Sequence, residues 1–102
     1  TSNFTKDELD RIESKLDDRS RIVMDYHWHN GNQWCIEIHS YTDKSKYGNC
    51  WIEIQKFEDE WFYVSINNPT QYNKVLDTEY YKCDQIEGLL KFIEDKKKEY
   101  FR

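Results

Sequence analysis

His27, His29, Cys35, Glu37 and His39 stand in one short stretch of the chain, and all are side-chain types that ligate transition metals. Zinc needs three or four such ligands converging at about 2.0–2.3 Å. The alternation around them reads as a β-hairpin turning at Asn30-Gly31-Asn32. In the register that sets Trp28 against Trp34 and Tyr26 against Ile36, His27 faces Cys35 and Asp25 faces Glu37, with His29 and His39 at the two ends of the same face. Cross-strand neighbours can bring two or three ligands together in this way. The spacing is not a closed one such as C-x-x-C, however, and the half-polar outer face of a sheet ordinarily collects His, Asp and Glu. Metal binding is therefore the alternative function rather than the leading one.

Cys35 beside His27 is the one pair able to act as thiolate and base, but a buried structural cysteine is the commoner case. No nucleophile motif is present, and Gly31 and Gly48, each in a polar loop, make no phosphate cradle. The expectation is no enzyme and no cofactor. The same parity gathers Trp51, Phe57, Trp61 and Tyr63, with Tyr41 beside them, on the sheet face turned away from the helices. An open aromatic patch marks a binding surface; the other reading is that residues 41–49 or 67–77 fold back over it as a second small core. The first reading makes the protein a non-enzymatic interaction module that binds a protein partner or forms a homo-oligomer.

These residues need elements to hold them. Residues 4 to 19 open on Phe4-Thr5-Lys6-Asp7-Glu8-Leu9, a capping box of Thr5 with Glu8 and a hydrophobic staple of Phe4 with Leu9. Leu9, Ile12 and Leu16 then form a narrow helical stripe. The period changes to two over 22 to 41, giving the hairpin, and again over Cys50, Ile52 and Ile54 and over Phe62, Val64 and Ile66. Glu58-Asp59-Glu60 turns the chain between these strands, Asn67-Asn68-Pro69 ends the fourth, and a short fifth lies within 78 to 83. The final helix has Asp84 as cap, Glu87 three residues on, and Ile86, Leu89, Leu90, Ile93 and Tyr100 on one stripe; Lys96, Lys97 and Lys98 near its end suit the helix dipole.

The expected fold is thus α+β, one domain over 1–102: an antiparallel meander sheet of four to five strands with the two helices packed on one face. Its core comprises Leu9, Ile12, Leu16, Met24, Tyr26, Trp34, Ile36, Ile38, Ile52, Ile54, Val64, Ile66, Ile86, Leu89, Leu90 and Ile93.

Composition bounds the partners. A mean hydropathy of −1.06 and 34% charged residues suggest disorder by themselves, but 17% aromatic residues supply large contact areas that disordered chains lack. The net charge of −5 disfavours phosphate backbones and anionic bilayers, so neither nucleic acid nor membrane is expected. No long apolar run exists, and the start TSNFTKDELD has neither a basic nor an apolar leader region. Three widely spaced cysteines, Cys35, Cys50 and Cys83, odd in number and in no C-x-x-C arrangement, fit a reducing compartment, hence a cytoplasmic protein, and Asn3-Phe4-Thr5 reads as a helix start rather than a glycosylation sequon. The absence of Ala and the wealth of Lys, Asn, Ile and Tyr are what an AT-rich genome encodes, phages and large DNA viruses among them.

The order helix, antiparallel strands, helix resembles the topology of frataxin, with local likeness in Leu16-Asp17-Asp18 and in Tyr81-Lys82-Cys83-Asp84. The resemblance implies iron held by the carboxylates of the first helix. Lys6, Arg11, Lys15 and Arg19, interleaved with those carboxylates, depart from that pattern, and the likeness assigns the chain to no family.

Overall fold

Thr5 begins the first helix as the sequence predicts: its hydroxyl accepts from the Glu8 N–H at 3.1 Å, and the Glu8 carboxylate accepts from the Thr5 N–H at 2.8 Å. The computed structural model describes residues 3–16, 20–27, 33–40, 50–68 and 74–101; for residues 21, 23–27, 33, 34 and 74 it describes the backbone and its pairing. Helix α1 (Lys6–Glu13) is shorter than the apolar stripe suggested. Bonds from Lys15 to Ile12 and from Leu16 to Glu13 continue past it as tight turns, which still carry Leu16 to the edge of the core.

Strands β1 (Ser20–His27), β2 (Gln33–Ser40), β3 (Trp51–Phe57), β4 (Trp61–Asn68) and β5 (Lys74–Lys82) form one antiparallel sheet in sequential order. A 3-10 turn (Cys83–Gln85) leads into α2 (Ile86–Tyr100). This is the expected α+β meander with a helix before and after it. The fifth strand starts well before 78 and includes an irregularity opposite Ile66 and Asn67, where Leu76 is the extra residue and turns partly into the core.

The first hairpin differs in register from the expectation. Tyr26 pairs with Trp34, Met24 with Ile36 and His27 with Gln33, so the pairing slips by two residues from Tyr26 against Ile36. A slip of two keeps every side chain on its face, so the apolar pattern fits both registers equally and cannot choose between them. Trp28 and the turn residues Asn30, Gly31 and Asn32 lie outside the described residues.

The core sits between the helices and one face of the sheet. Ile36 and Ile38, Ile52 and Ile54, and Phe62, Val64 and Ile66 are fully buried there, against Phe4 and Ile12 from the α1 end and Ile86, Leu89, Leu90, Ile93 and Tyr100 from α2. Leu9 and Leu16 are partly buried against it, whereas the side chains of Met24, Tyr26 and Trp34 lie outside the description. Phe4 stacks on Phe62 with ring centroids 6.2 Å apart, anchoring the start of α1 to β4.

One charge is built into this apolar face. Lys56, 3% exposed at its side chain, points at α1 and donates to Glu8 at 2.9 Å and to the Asn3 carbonyl at 3.0 Å. Burial alone would lower the Lys56 pKa; the bond and charge of Glu8, with smaller contributions from Cys83 and Asp59, outweigh it and leave the pKa raised.

The capping box expected at Asp84 and Glu87 does not form. Helix α2 begins only after the 3-10 turn, at a Gln85 cap with no side-chain bond, and Glu87 instead accepts from Arg11 of α1 at 2.8 Å. Lys15, in the turns that follow α1, bridges Glu94 of α2 at 3.0 Å. The lysines near the end of α2 also find partners beyond the helix dipole: Lys96 pairs with Asp77 of β5, and Lys97 donates to the Lys15 carbonyl. Among the described residues no helix is long and apolar enough to cross a membrane.

Candidate functional site

Side chains on the outer sheet face line up in rows across the strands. One row reads His39, Trp51, Asn67; the next Glu37, Glu53, Ser65, Thr78; the next Cys35, Gln55, Tyr63, Tyr80; and the last Phe57, Trp61, Lys82. The middle of this face is closed to solvent. Cys35 is 0% exposed, and Glu53, Gln55, Ser65 and Asn67 are buried with it.

The expected metal ligands are redistributed by the register. Asp25, not His27, stands opposite Cys35, Val23 stands opposite Glu37, and His27 pairs with Gln33. The His27 side chain and all of His29 lie outside the description. Of the expected set, Cys35, Glu37 and His39 share the outer face, and the structure adds Glu53 to them. Glu53 lies directly opposite Glu37, and one ligand atom from each of Cys35, Glu37 and Glu53 falls within 4.8 Å of the others. His39 Nε2 is 2.8 Å from a Glu37 oxygen, and Gln55 donates to Glu53 at 2.8 Å. The parity of Trp51, Glu53 and Gln55 placed Glu53 on this face from the sequence, but its proximity to Glu37 depends on the β2–β3 register, which the apolar pattern does not supply.

The expected aromatic residues divide between two ends of the face. Trp51 is half-buried and its ring stacks on His39 at 5.7 Å, while its indole N–H is buried and has no hydrogen-bond acceptor among the described residues. Phe57 and Trp61 pair across the β3–β4 turn, six positions along β3 and thus about 20 Å from Trp51. Tyr63 follows in the adjacent row. Tyr41 lies outside the described residues. At the Phe57 end the structure adds two residues from β5: Tyr80, whose ring is 4.8 Å from that of Tyr63, and Lys82, whose ammonium sits 5.7 Å over the Trp61 ring. Trp61 is 39% exposed and Tyr80 59%. Burial first, then the charges of Tyr80 and Glu53, push the Tyr63 hydroxyl above the usual tyrosine range and keep it a neutral donor. The fifth strand was legible only in part, so Tyr80 and Lys82 had no assigned face.

A shallow cleft beside this corner is lined by Asp59, Glu60, Trp61, Lys82, Cys83 and Asp84. The Cys83 thiol is pushed up, by burial first and then by Glu8, Asp59 and Asp84 against the opposing effect of Lys56. That is the reverse of what activates a nucleophilic thiol. On α1, Asp7 bridges to Arg11 at 3.2 Å and Asp10 to Lys6 at 3.1 Å, while Glu8 holds Lys56, so these carboxylates are engaged with the chain's own cations.

Comparison with protein-family models, with curated proteins and with solved structures finds no match.

Proposed function

We propose that this chain is a non-enzymatic protein-interaction module whose contact surface is the aromatic corner of Phe57, Trp61, Tyr63 and Tyr80 with Lys82. The observation that carries the reading is the exposure of Trp61 and Tyr80 side by side with Tyr63 on a sheet face where Cys35, Glu53, Gln55 and Ser65 are shut from solvent. Trp and Tyr on rigid strands offer contact area at low entropic cost and dominate interface energetics. Glu58, Asp59 and Glu60 of the adjoining turn and Asp84 of the adjoining cleft border the corner, so two copies of it would bring like charges together, and the chain as a whole carries −5. The partner is accordingly a different protein with an apolar centre and a basic rim, met in a reducing compartment where Cys35, Cys50 and Cys83 remain without disulfides. The raised Cys83 thiol beside the cleft supports a binding rather than a catalytic role.

The test pairs light scattering with capture. The untagged wild-type chain is expected to be a monomer, and a protein retained by it from its source lysate should bind about 30-fold more weakly to Trp61→Ala, the ~2 kcal/mol of a hot-spot truncation, and more weakly still as salt rises. Equal retention by Trp61→Ala, with unfolding as cooperative as wild type, refutes the assignment of the surface. A salt-resistant dimer refutes the choice of partner.

A further inference from the structure

Two carboxylates directly opposite one another across a β-ladder repel, and β2 and β3 place Glu37 against Glu53 in that position. Beside them is the thiol of Cys35, with all three ligand atoms inside 4.8 Å. Neither side of this arrangement is open surface, where acidic groups gather for solubility: Cys35 and Glu53 are buried and Glu37 is largely so. A buried thiol with two converging carboxylates is a mixed soft and hard donor set. Tetrahedral zinc holds such donors about 3.4–3.6 Å apart, which these three reach by closing in about an ångström. Calcium and magnesium reject the sulfur.

The neighbouring row adds a second, independent feature. The Trp51 indole N–H is buried without an acceptor among the described residues, and its ring stacks on His39. A buried donor left open costs roughly 1–3 kcal/mol. His39, bonded to Glu37, orients that carboxylate as imidazoles and carboxylates do around metal sites.

We infer that Cys35, Glu37 and Glu53 form a binding site for one divalent transition-metal ion of the zinc class, with His39 positioning Glu37 and a water completing the coordination. Binding converts the Glu37–Glu53 repulsion into attraction to a shared cation. The thiol proton of Cys35 passes to solvent as the metal–sulfur bond forms, so uptake strengthens as pH rises. Cys35 stands two strands from Tyr63 in the same cross-strand row, so the site borders the aromatic corner, but it does not depend on the interaction reading.

Cobalt(II) is the probe, because a thiolate ligand gives it a charge-transfer band in the near ultraviolet. Untagged protein titrated with cobalt should develop that band with a one-to-one end point, lose it on addition of zinc, and gain thermal stability with either ion. Cys35→Ser should abolish the band, whereas the double change Cys50→Ser with Cys83→Ser should leave it. Glu37→Gln, which keeps the shape of the side chain, should weaken cobalt binding by about 10-fold or more, and His39→Gln by about 10-fold. No band and no thermal shift in the wild-type chain overturns the inference. A band that survives in Cys35→Ser, or an affinity unchanged in Glu37→Gln, overturns it equally, and the second variant decides if the first does not fold.

Discussion

The ring of Tyr81 lies on the bare Cα of Gly88, so close that a β-carbon on that glycine would fall 2.7 Å from Cδ1 and 2.8 Å from Cε1. This contact lets α2 approach β5, and Tyr81 then meets Phe92 edge-on at 6.2 Å. Alanine in place of Gly88 would gain about 1 kcal/mol of helix propensity. It would also force aside the middle of a packed ring, at about 1–3 kcal/mol. Gly88→Ala should therefore lose up to ~2 kcal/mol in urea unfolding. In a Tyr81→Val background the same change should be neutral or stabilising, and a double-mutant cycle reads the difference.

Lys56 and Glu8 give a pH-dependent prediction. The folded-state pKa of Lys56 is raised above its ordinary 10.5, so its contribution is complete below that value and is lost as pH climbs through the raised one. Lys56→Met removes one partner of a buried pair and should cost about 2–4 kcal/mol at neutral pH. The gap between the two unfolding midpoints should hold through neutral pH and shrink only in strong alkali. A gap that closes near pH 7 contradicts the assignment.

The β3–β4 turn carries strain that can be relieved. Glu58 and Asp59 both have positive φ, 53° and 57°, with Glu60 N–H bonded to the Phe57 carbonyl at 2.9 Å, the pattern of a type I′ turn. Such a turn prefers Asn followed by Gly. The double change Glu58→Asn with Asp59→Gly should stabilise the fold by about 1 kcal/mol, read as a higher melting temperature. The Asp59 bridge to Lys56 at 3.5 Å is forfeited, but that carboxylate is mostly in solvent and contributes little.

Lys96 ties α2 to the edge strand. Its hydrogen bond to Asp77 is the largest influence on it and, with Glu99, overrides burial and holds its pKa far above the lysine range; its ammonium also sits 5.4 Å from the Phe92 ring centroid. Asp77 is partly solvated, so screening limits what the pair contributes. Lys96→Met, which keeps the packed stem, should cost about 0.5–1.5 kcal/mol in dilute buffer and less in molar salt.

Faces were readable from the sequence where registers were not. Period-two alternation assigned Ile36, Ile52, Val64 and their neighbours to the helix side, because a residue's face depends only on its parity along the strand. Pairing partners depend on turn geometry as well, and the two-residue slip that puts Asp25 rather than His27 beside Cys35 leaves every parity intact. Lys56 broke the pattern for a reason outside its own strand: its partner Glu8 arrives from α1, already committed to the Thr5 cap. The Glu87 cap failed in the opposite sense, since Arg11 from the other helix offered that carboxylate a charged partner. The aromatic corner was half legible, with Trp61 and Tyr63 assigned and Tyr80 unassigned, because β5 carries Asp77 and Glu79 toward the helix side and shows no apolar alternation.

The sequential strand order has a bearing on how the molecule assembles. Each described strand pairs only with its chain neighbours, so the sheet is built from contacts local in sequence and closes at modest entropic cost. The apolar side of the sheet gains its main cover from Ile86, Leu89, Leu90 and Ile93, which follow all five strands in the chain. A sheet already zipped would thus present its isoleucine rows to water until α2 docks, and association at that stage would compete with completion of the fold. The Arg11–Glu87 and Lys15–Glu94 bridges join the first helix and the turns after it to the last helix, so they form at the closing step and serve as reporters of when it ends.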